Sequence, residues 1–184
     1  DLDGDGRPDA LARDYTRPEL ALLRGRGDGS LDAAHWLPPG ISGARRLAVG
    51  DVHGDGWPDV LSVGNAQTLL TTGTGTGLGR AGFAAQPVAL QEGLANDPPS
   101  VLLDVDGDGR DDIVSAEWTQ GVLVLRSLGD SRFAAAQASG TVSQVRHVVG
   151  QDVDGDGRMD LLLANEAGTL QLLPGAGGGT FGAP

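Results

Sequence analysis

One nine-residue phrase constrains this chain more than anything else in it. "DVDGDGRMD", Asp152 to Asp160, packs four acids and two glycines into nine positions. Near copies stand at Asp1 ("DLDGDGRPD"), Asp51 ("DVHGDGWPD") and Asp104 ("DVDGDGRDD"). Carboxylates held within a few ångströms repel one another, so a fold built on this phrase needs something to offset the charge. Fifteen of the chain's 25 acids occupy the matching offsets. Clustering of that kind points to cation sites rather than to a diffusely solvated surface.

The phrases begin at intervals of 50, 53 and 48 residues, and their surroundings repeat as well. Each is followed by a short apolar segment: "DALARD", "DVLSVGN", "DIVSAEW" and "DLLLANE". A second segment follows ("LALLRGRG", "TLLTTGTG", "VLVLRSLG", "TLQLLPGAG"), then a third ("SLDAAHWLP", "GFAAQPVAL", "RFAAAQAS" and the shorter "TFGAP"). Before three of the phrases stand "RRLAVG", "SVLL" and "RHVVG". Each segment is short, apolar or alternating, and bounded by glycine or polar residues, which is how strands read. None shows sustained helical spacing. The expectation is a single all-β repeat domain over 1–184, with repeats 1–50, 51–103, 104–151 and 152–184. Four short antiparallel strands per repeat fit the blades of a β-propeller. About four blades are few for a closed ring. The chain therefore reads as a propeller or a propeller fragment, and open strand edges make self-association a further expectation.

In the phrase D-x-D-x-D-G-x-x-D, acids at positions 1, 3 and 5 can point around one centre. Glycine at position 6 permits the sharp turn, position 7 can offer its carbonyl, and the acid at position 9 closes the shell. Hard oxygen donors in a flexible loop suit calcium better than magnesium. Four filled sites would bring the formal charge from −12 to −4. An EF-hand is excluded, because it needs a glutamate at position 12 and flanking helices. Position 12 here is Ala12, Ser62, Ser115 or Leu163, and the flanks read as strands. The second loop departs from the pattern, since His53 replaces the acid at position 3. Weaker binding, a water in place of the ligand and an empty loop all remain open there, as does His53 acting as a transition-metal ligand.

The acidic loop, the strand after it and the closing "GTFGAP" at Gly179–Pro184 resemble the FG-GAP and VCBS repeat families. These are the calcium-binding blades of integrin α-subunit propellers and of many secreted bacterial proteins. The resemblance covers essentially the whole chain. It implies a β-propeller with calcium in the loop between the first two strands of a blade, three to four ions in all. The implied side-chain ligands are Asp1, Asp3, Asp5 and Asp9; Asp51, Asp55 and Asp59, with His53 a candidate of its own at the position the pattern gives to an acid; Asp104, Asp106, Asp108 and Asp112; and Asp152, Asp154, Asp156 and Asp160. Backbone carbonyls would come from Arg7, Trp57, Arg110 and Arg158. The ending "FGAP" is clear only in the last repeat.

Composition narrows the function. A net charge of −12 argues against nucleic acid and anionic membrane surfaces as partners. No apolar run is long enough to enter a bilayer. There is no cysteine and no lysine, so thiolate sites, Schiff bases and a P-loop lysine are absent. The glycine-rich stretches at Gly73–Gly79 and Gly175–Gly179 fall where each repeat needs a hairpin turn, and so does Arg26-Gly27-Asp28. Trp36, Trp57 and Trp118 can stack on sugar rings or pack between blades. His35 and His147 lie on apparent strands without a serine or acid at useful spacing. The expected function is a non-catalytic, calcium-stabilised binding or adhesion module of a secreted or surface protein, with a protein or glycan ligand. A lectin, or an accessory domain of a polysaccharide-degrading enzyme, is the alternative.

Overall fold

The structure, a computed structural model, describes residues 1–13, 17, 19–39, 44–64, 68–75, 83–89, 98–117, 121–140 and 142–184. It is all-β, with no helix among the described residues. Strands β1 (Ala10–Arg13), β2 (Glu19–Leu23) and β3 (His35–Pro39) form a first antiparallel sheet. The second sheet holds β4 (Ala44–Gly50), β5 (Asp59–Gly64), β6 (Thr68–Gly73) and β7 (Phe83–Ala89) in that order. The third holds β8 (Ser100–Leu103), β9 (Asp112–Glu117), β10 (Gly121–Leu125) and β11 (Gln137–Ser139). The fourth consists of β12 (Val145–Gln151), β13 (Asp160–Asn165) and β14 (Leu170–Leu173). Beside it stands a small hairpin of β15 (Gly175–Gly177) and β16 (Thr180–Phe181).

The sheets are offset from the sequence repeats. The segment before each phrase pairs with the segment after it, so "RRLAVG" lies beside "DVLSVG" as β4 and β5. The acidic phrase is thus the loop of a hairpin joining the first two strands of a sheet, seen three times at β4–β5, β8–β9 and β12–β13. Four strands per repeat holds in the second and third sheets. The described part of the first has three strands, and the fourth splits its last segment into the β15–β16 hairpin.

Consecutive sheets pack face to face, which explains why β5, β9 and β10 carry apolar residues at both alternating positions. A strand covered on both faces has no reason to alternate. Leu20 and Leu22 of the first sheet meet Val60 and Leu47 of the second. Val52, Leu61 and Leu70 meet Ile113, Leu123 and Leu125 of the third. Val114 and Val124 meet Val148, Leu161, Leu163 and Leu173 of the fourth. The first strands of successive sheets, β4, β8 and β12, lie next to one another. The core is therefore three layers between four sheets, not one interior.

Leu61 is fully buried between the second and third sheets. Leu61→Ala should cost about 2–5 kcal/mol, read as a lower melting midpoint. A loss under about 1 kcal/mol would mean that this layer is not tightly packed.

Candidate metal centres

Each acidic phrase folds on its own carboxylates. The position-1 aspartate gathers the amides of the turn. Asp1 Oδ1 accepts from Gly4 N at 2.7 Å and Asp5 N at 3.2 Å, and its Oδ2 accepts from Gly6 N at 2.8 Å. Asp51, Asp104 and Asp152 repeat this with Gly54 and Gly56, Gly107 and Gly109, and Gly155 and Gly157. Those eight glycines have φ between 70° and 85°. That left-handed backbone turns the amides inward, and side chains at these positions would resist it. The position-5 acid accepts from the amide two residues on: Asp5 from Arg7, Asp55 from Trp57, Asp108 from Arg110 and Asp156 from Arg158, at 2.8–2.9 Å.

The position-9 aspartate joins the loop to the sheet. Asp59 Oδ2 accepts from Val52 N and its Oδ1 from Gly73 N, both at 2.8 Å. Asp9, Asp112 and Asp160 make the same pair of bonds, to Leu2 and Gly25, Val105 and Ser127, and Val153 and Gly175. The third-strand residue must come close. A Cβ on Gly73 would lie 2.4 Å from the Pro58 carbonyl oxygen. Burial pushes Asp112 up to about 6, helped by the charges of Asp106 and Asp108. Asp59 is also raised by burial. Asp160 is held below the usual range by the Gly175 and Val153 amides.

Carboxylate oxygens converge in three loops. One oxygen each from Asp1, Asp3 and Asp5 lies within 4.8 Å of the others; so do Asp104, Asp106 and Asp108, and Asp152, Asp154 and Asp160. Of the expected ligands, Asp9, Asp112 and Asp156 stand outside these groups. Arginines offset part of the charge: Arg24 reaches Asp3 at 3.1 Å and Arg126 reaches Asp106 at 3.5 Å. Arg7, Arg110 and Arg158 turn their side chains onto Asp5, Asp108 and Asp156. An all-oxygen set of three converging carboxylates fits a hard divalent cation such as calcium.

The second loop is built differently. No such group forms around Asp51, Asp55 and Asp59 among the described residues. His53 Nδ1 bonds Asp59 Oδ2 at 2.8 Å, and its Nε2 bonds Ser131 Oγ at 3.0 Å, on the next sheet's hairpin. Further ties cross between the same two repeats. Asp111 N donates to the Asp51 carbonyl and Asp111 Oδ2 accepts from Asp51 N, both at 2.8 Å. Ser127 Oγ donates to the Val52 carbonyl at 2.7 Å. Sequence reasoning missed Ser127, Ser131 and Asp111. One signal was present: position 8 is Pro8, Pro58 or Met159 elsewhere and an acid only in the third phrase.

The remaining candidates sit in plain structural places. Trp57 packs against the neighbouring acidic loop, where a Cβ on Gly4 would lie 3.0 Å from its ring. Trp36 is 41% exposed and carries the Arg17 guanidinium 4.8 Å over its ring. Trp118 and residues 76–79 lie outside the described residues. Arg26-Gly27-Asp28 is in the β2–β3 hairpin, with Arg26 on Asp32 and Asp28 accepting from Ser30. His35 opens β3 and His147 lies on β12, both exposed.

Comparison with known proteins agrees with this geometry. The model of the FG-GAP-like repeat matches residues 1–62 and 104–163. The chain belongs to the FG-GAP-like repeat family. No curated protein matches it. Among solved structures it is similar to a lectin from Agrocybe aegerita described as recognising non-reducing terminal N-acetylglucosamine. That match has a TM-score of 0.72 at 20% identity and covers 100% of this chain and 49% of the lectin. It is also similar to the V. cholerae biofilm matrix protein Bap1, with a TM-score of 0.52 at 17% identity, over 98% of this chain and 26% of that one. The chain thus spans about half the length of the first and a quarter of the second.

Two outcomes test the local chemistry. Asp112→Ala strands the Val105 and Ser127 amides, so it should cost on the order of 2 kcal/mol even in chelator. Asp108→Ala, at the exposed end of the same loop, should cost nothing under those conditions. Glu117 is buried, its Oε1 has no hydrogen-bond partner among the described residues, and burial raises it to about 7. An acid raised on folding stabilises the fold below its ordinary value of 4.5, and that contribution is lost as pH rises through 7. The melting-temperature advantage of Glu117→Gln over the native chain should therefore grow from pH 5 to pH 8. An advantage that stays constant would contradict a buried neutral carboxyl.

Proposed function

We propose that this chain is a calcium-stabilised, non-catalytic binding module of the propeller type, carried by a secreted or surface protein, and that its ligand is a protein. The observation that carries the calcium part is the convergence of three carboxylates in each of three loops. Asp1, Asp3 and Asp5, Asp104, Asp106 and Asp108, and Asp152, Asp154 and Asp160 would hold the ions. A bound divalent ion supplies charge neutralisation and a cross-link within the loop. Extracellular calcium levels suit sites of modest affinity. Face-to-face stacking of four sheets, with β4, β8 and β12 side by side in the last three, supports the propeller-type arrangement.

In the second loop the His53 ring links Asp59 to the next repeat, which no position-3 aspartate does among the described residues. We read that loop as metal-free. Ser131, His53 and Asp59 also stand in the order of a hydrolase's nucleophile, base and acid. The amide that would serve an oxyanion is already engaged, since Arg132 N donates to the Gly129 carbonyl at 3.0 Å. The bonds serve as a tie between repeats.

A glycan ligand is the second reading, supported by the likeness to the N-acetylglucosamine-recognising lectin over the whole chain. Retention on immobilised terminal N-acetylglucosamine, competed by the free sugar, would favour it over a protein ligand.

Calorimetric titration of chelator-stripped protein should show three calcium ions and a higher melting temperature at saturation. His53→Asp should add a fourth ion. No heat and no thermal shift would sink the calcium reading; four ions in the native chain would sink the assignment of the second loop.

A further inference from the structure

One position beside the acidic loops changes its charge from repeat to repeat. Gly25, Gly73, Ser127 and Gly175 are the residues whose amides reach the position-9 aspartates. Immediately before them stand Arg24, Thr72, Arg126 and Pro174. Side chains alternate along a strand, so in the first three repeats this position shares the face of Leu22, Leu70 and Val124. Those three pack toward the following sheet. The position-3 side chain leans the same way, as His53 does in reaching Ser131. An arginine here is therefore carried to the position-3 acid of its own repeat. Arg24 Nε lies 3.1 Å from Asp3 Oδ2, and Arg126 Nη1 lies 3.5 Å from Asp106 Oδ2.

The arginines take the oxygen that the loop leaves over. Wherever position 3 is an acid, its Oδ1 accepts the amide of position 5: Asp3 from Asp5 at 3.3 Å, Asp106 from Asp108 at 3.2 Å and Asp154 from Asp156 at 3.0 Å. In the first and third loops Oδ2 then goes to a guanidinium. The side chains of Asp3 and Asp106 are only 3% and 14% exposed, so water screens these pairs weakly. In the fourth loop Pro174 has no charge to offer, and no cation pairs with Asp154 among the described residues. Arg158 turns to Asp156, just as Arg7 and Arg110 turn to Asp5 and Asp108. The position-7 arginines are thus common to all three loops, and Arg24 and Arg126 set the first and third apart. Each belongs to the same repeat as the aspartate it reaches, so the contrast does not depend on what adjoins the fourth sheet.

Resting on the calcium reading of these loops, we propose that Arg24 and Arg126 set the affinity of the first and third loops by competing with the ion for the position-3 carboxylate. A guanidinium keeps its charge at any working pH. It repels a divalent cation among the same acids and draws on the same carboxylate. The fourth loop carries no such competitor and holds calcium more tightly, on the order of tenfold. The loops therefore fill in order, the fourth first. Without calcium, the arginines offset part of the charge in the first and third loops, and nothing equivalent does so at Asp154.

Calorimetric titration of chelator-stripped chain with calcium chloride tests this. The native chain should bind one ion tightly and two more weakly, and Asp154→Asn should remove the tight one. Arg24→Gln with Arg126→Gln should tighten the weak pair about tenfold and leave the fourth loop as it was. Pro174→Arg gives a reciprocal measurement that does not depend on losing either arginine. It should bring the tight site down to the level of the other two. Three native sites of one affinity, or glutamine variants that bind no more tightly than the native chain, would overturn the competition while leaving calcium binding in place. No heat from the native chain or any variant would remove the calcium reading itself, and the competition with it.

Discussion

The structure depends on carboxylate oxygens accepting hydrogen bonds from backbone amides. A nine-residue hairpin loop has too many amides for the strands to satisfy. The position-1 aspartate takes up the turn's amides, and the position-9 aspartate ties the loop's second residue to the third strand. Hydrogen bonds to an ionised acceptor are the stronger kind. Once these bonds form, the acids at positions 1, 3 and 5 have little freedom to separate, and their mutual repulsion becomes a standing feature of the fold. In the first, third and fourth loops this fold leaves three carboxylate oxygens within 4.8 Å of one another.

That constraint propagates between sheets. The aspartate-pinned loops project rigid backbone toward their neighbours, and neighbouring repeats take hold of it. The Val52 carbonyl accepts from Ser127 Oγ, and the Val105 carbonyl accepts from Gly179 N at 3.1 Å. Close approach limits what can stand between: a Cβ on Gly50 would lie 2.3 Å from Asp111 Oδ2. Apolar layers supply most of the stacking energy, at roughly 1.5–3 kcal/mol per fully buried aliphatic side chain. The polar ties fix the register in which those layers meet.

Much of this was legible in the sequence because the chain states it four times. The period, the strand segments, the hairpin position of the acidic phrase and the glycines at its turns all follow from local pattern. The role of the position-9 acid was only half legible. Its offset marks it as a ligand, while its bonds to a residue about fifteen positions later depend on how the third strand returns. His53 showed as a gap in the pattern, but its partner Ser131 lies 78 residues away and has no motif. Asp111 likewise reads as one more acid in an acidic loop until Asp51 is seen beside it.

The central claim is that three of the four loops are cation sites and that the His53 loop is closed by hydrogen bonds instead. Anomalous scattering from crystals grown in calcium tests this most directly. The account predicts peaks among Asp1, Asp3 and Asp5, among Asp104, Asp106 and Asp108, and among Asp152, Asp154 and Asp160, with none beside His53. A map without peaks in those three loops, at saturating calcium, would contradict it.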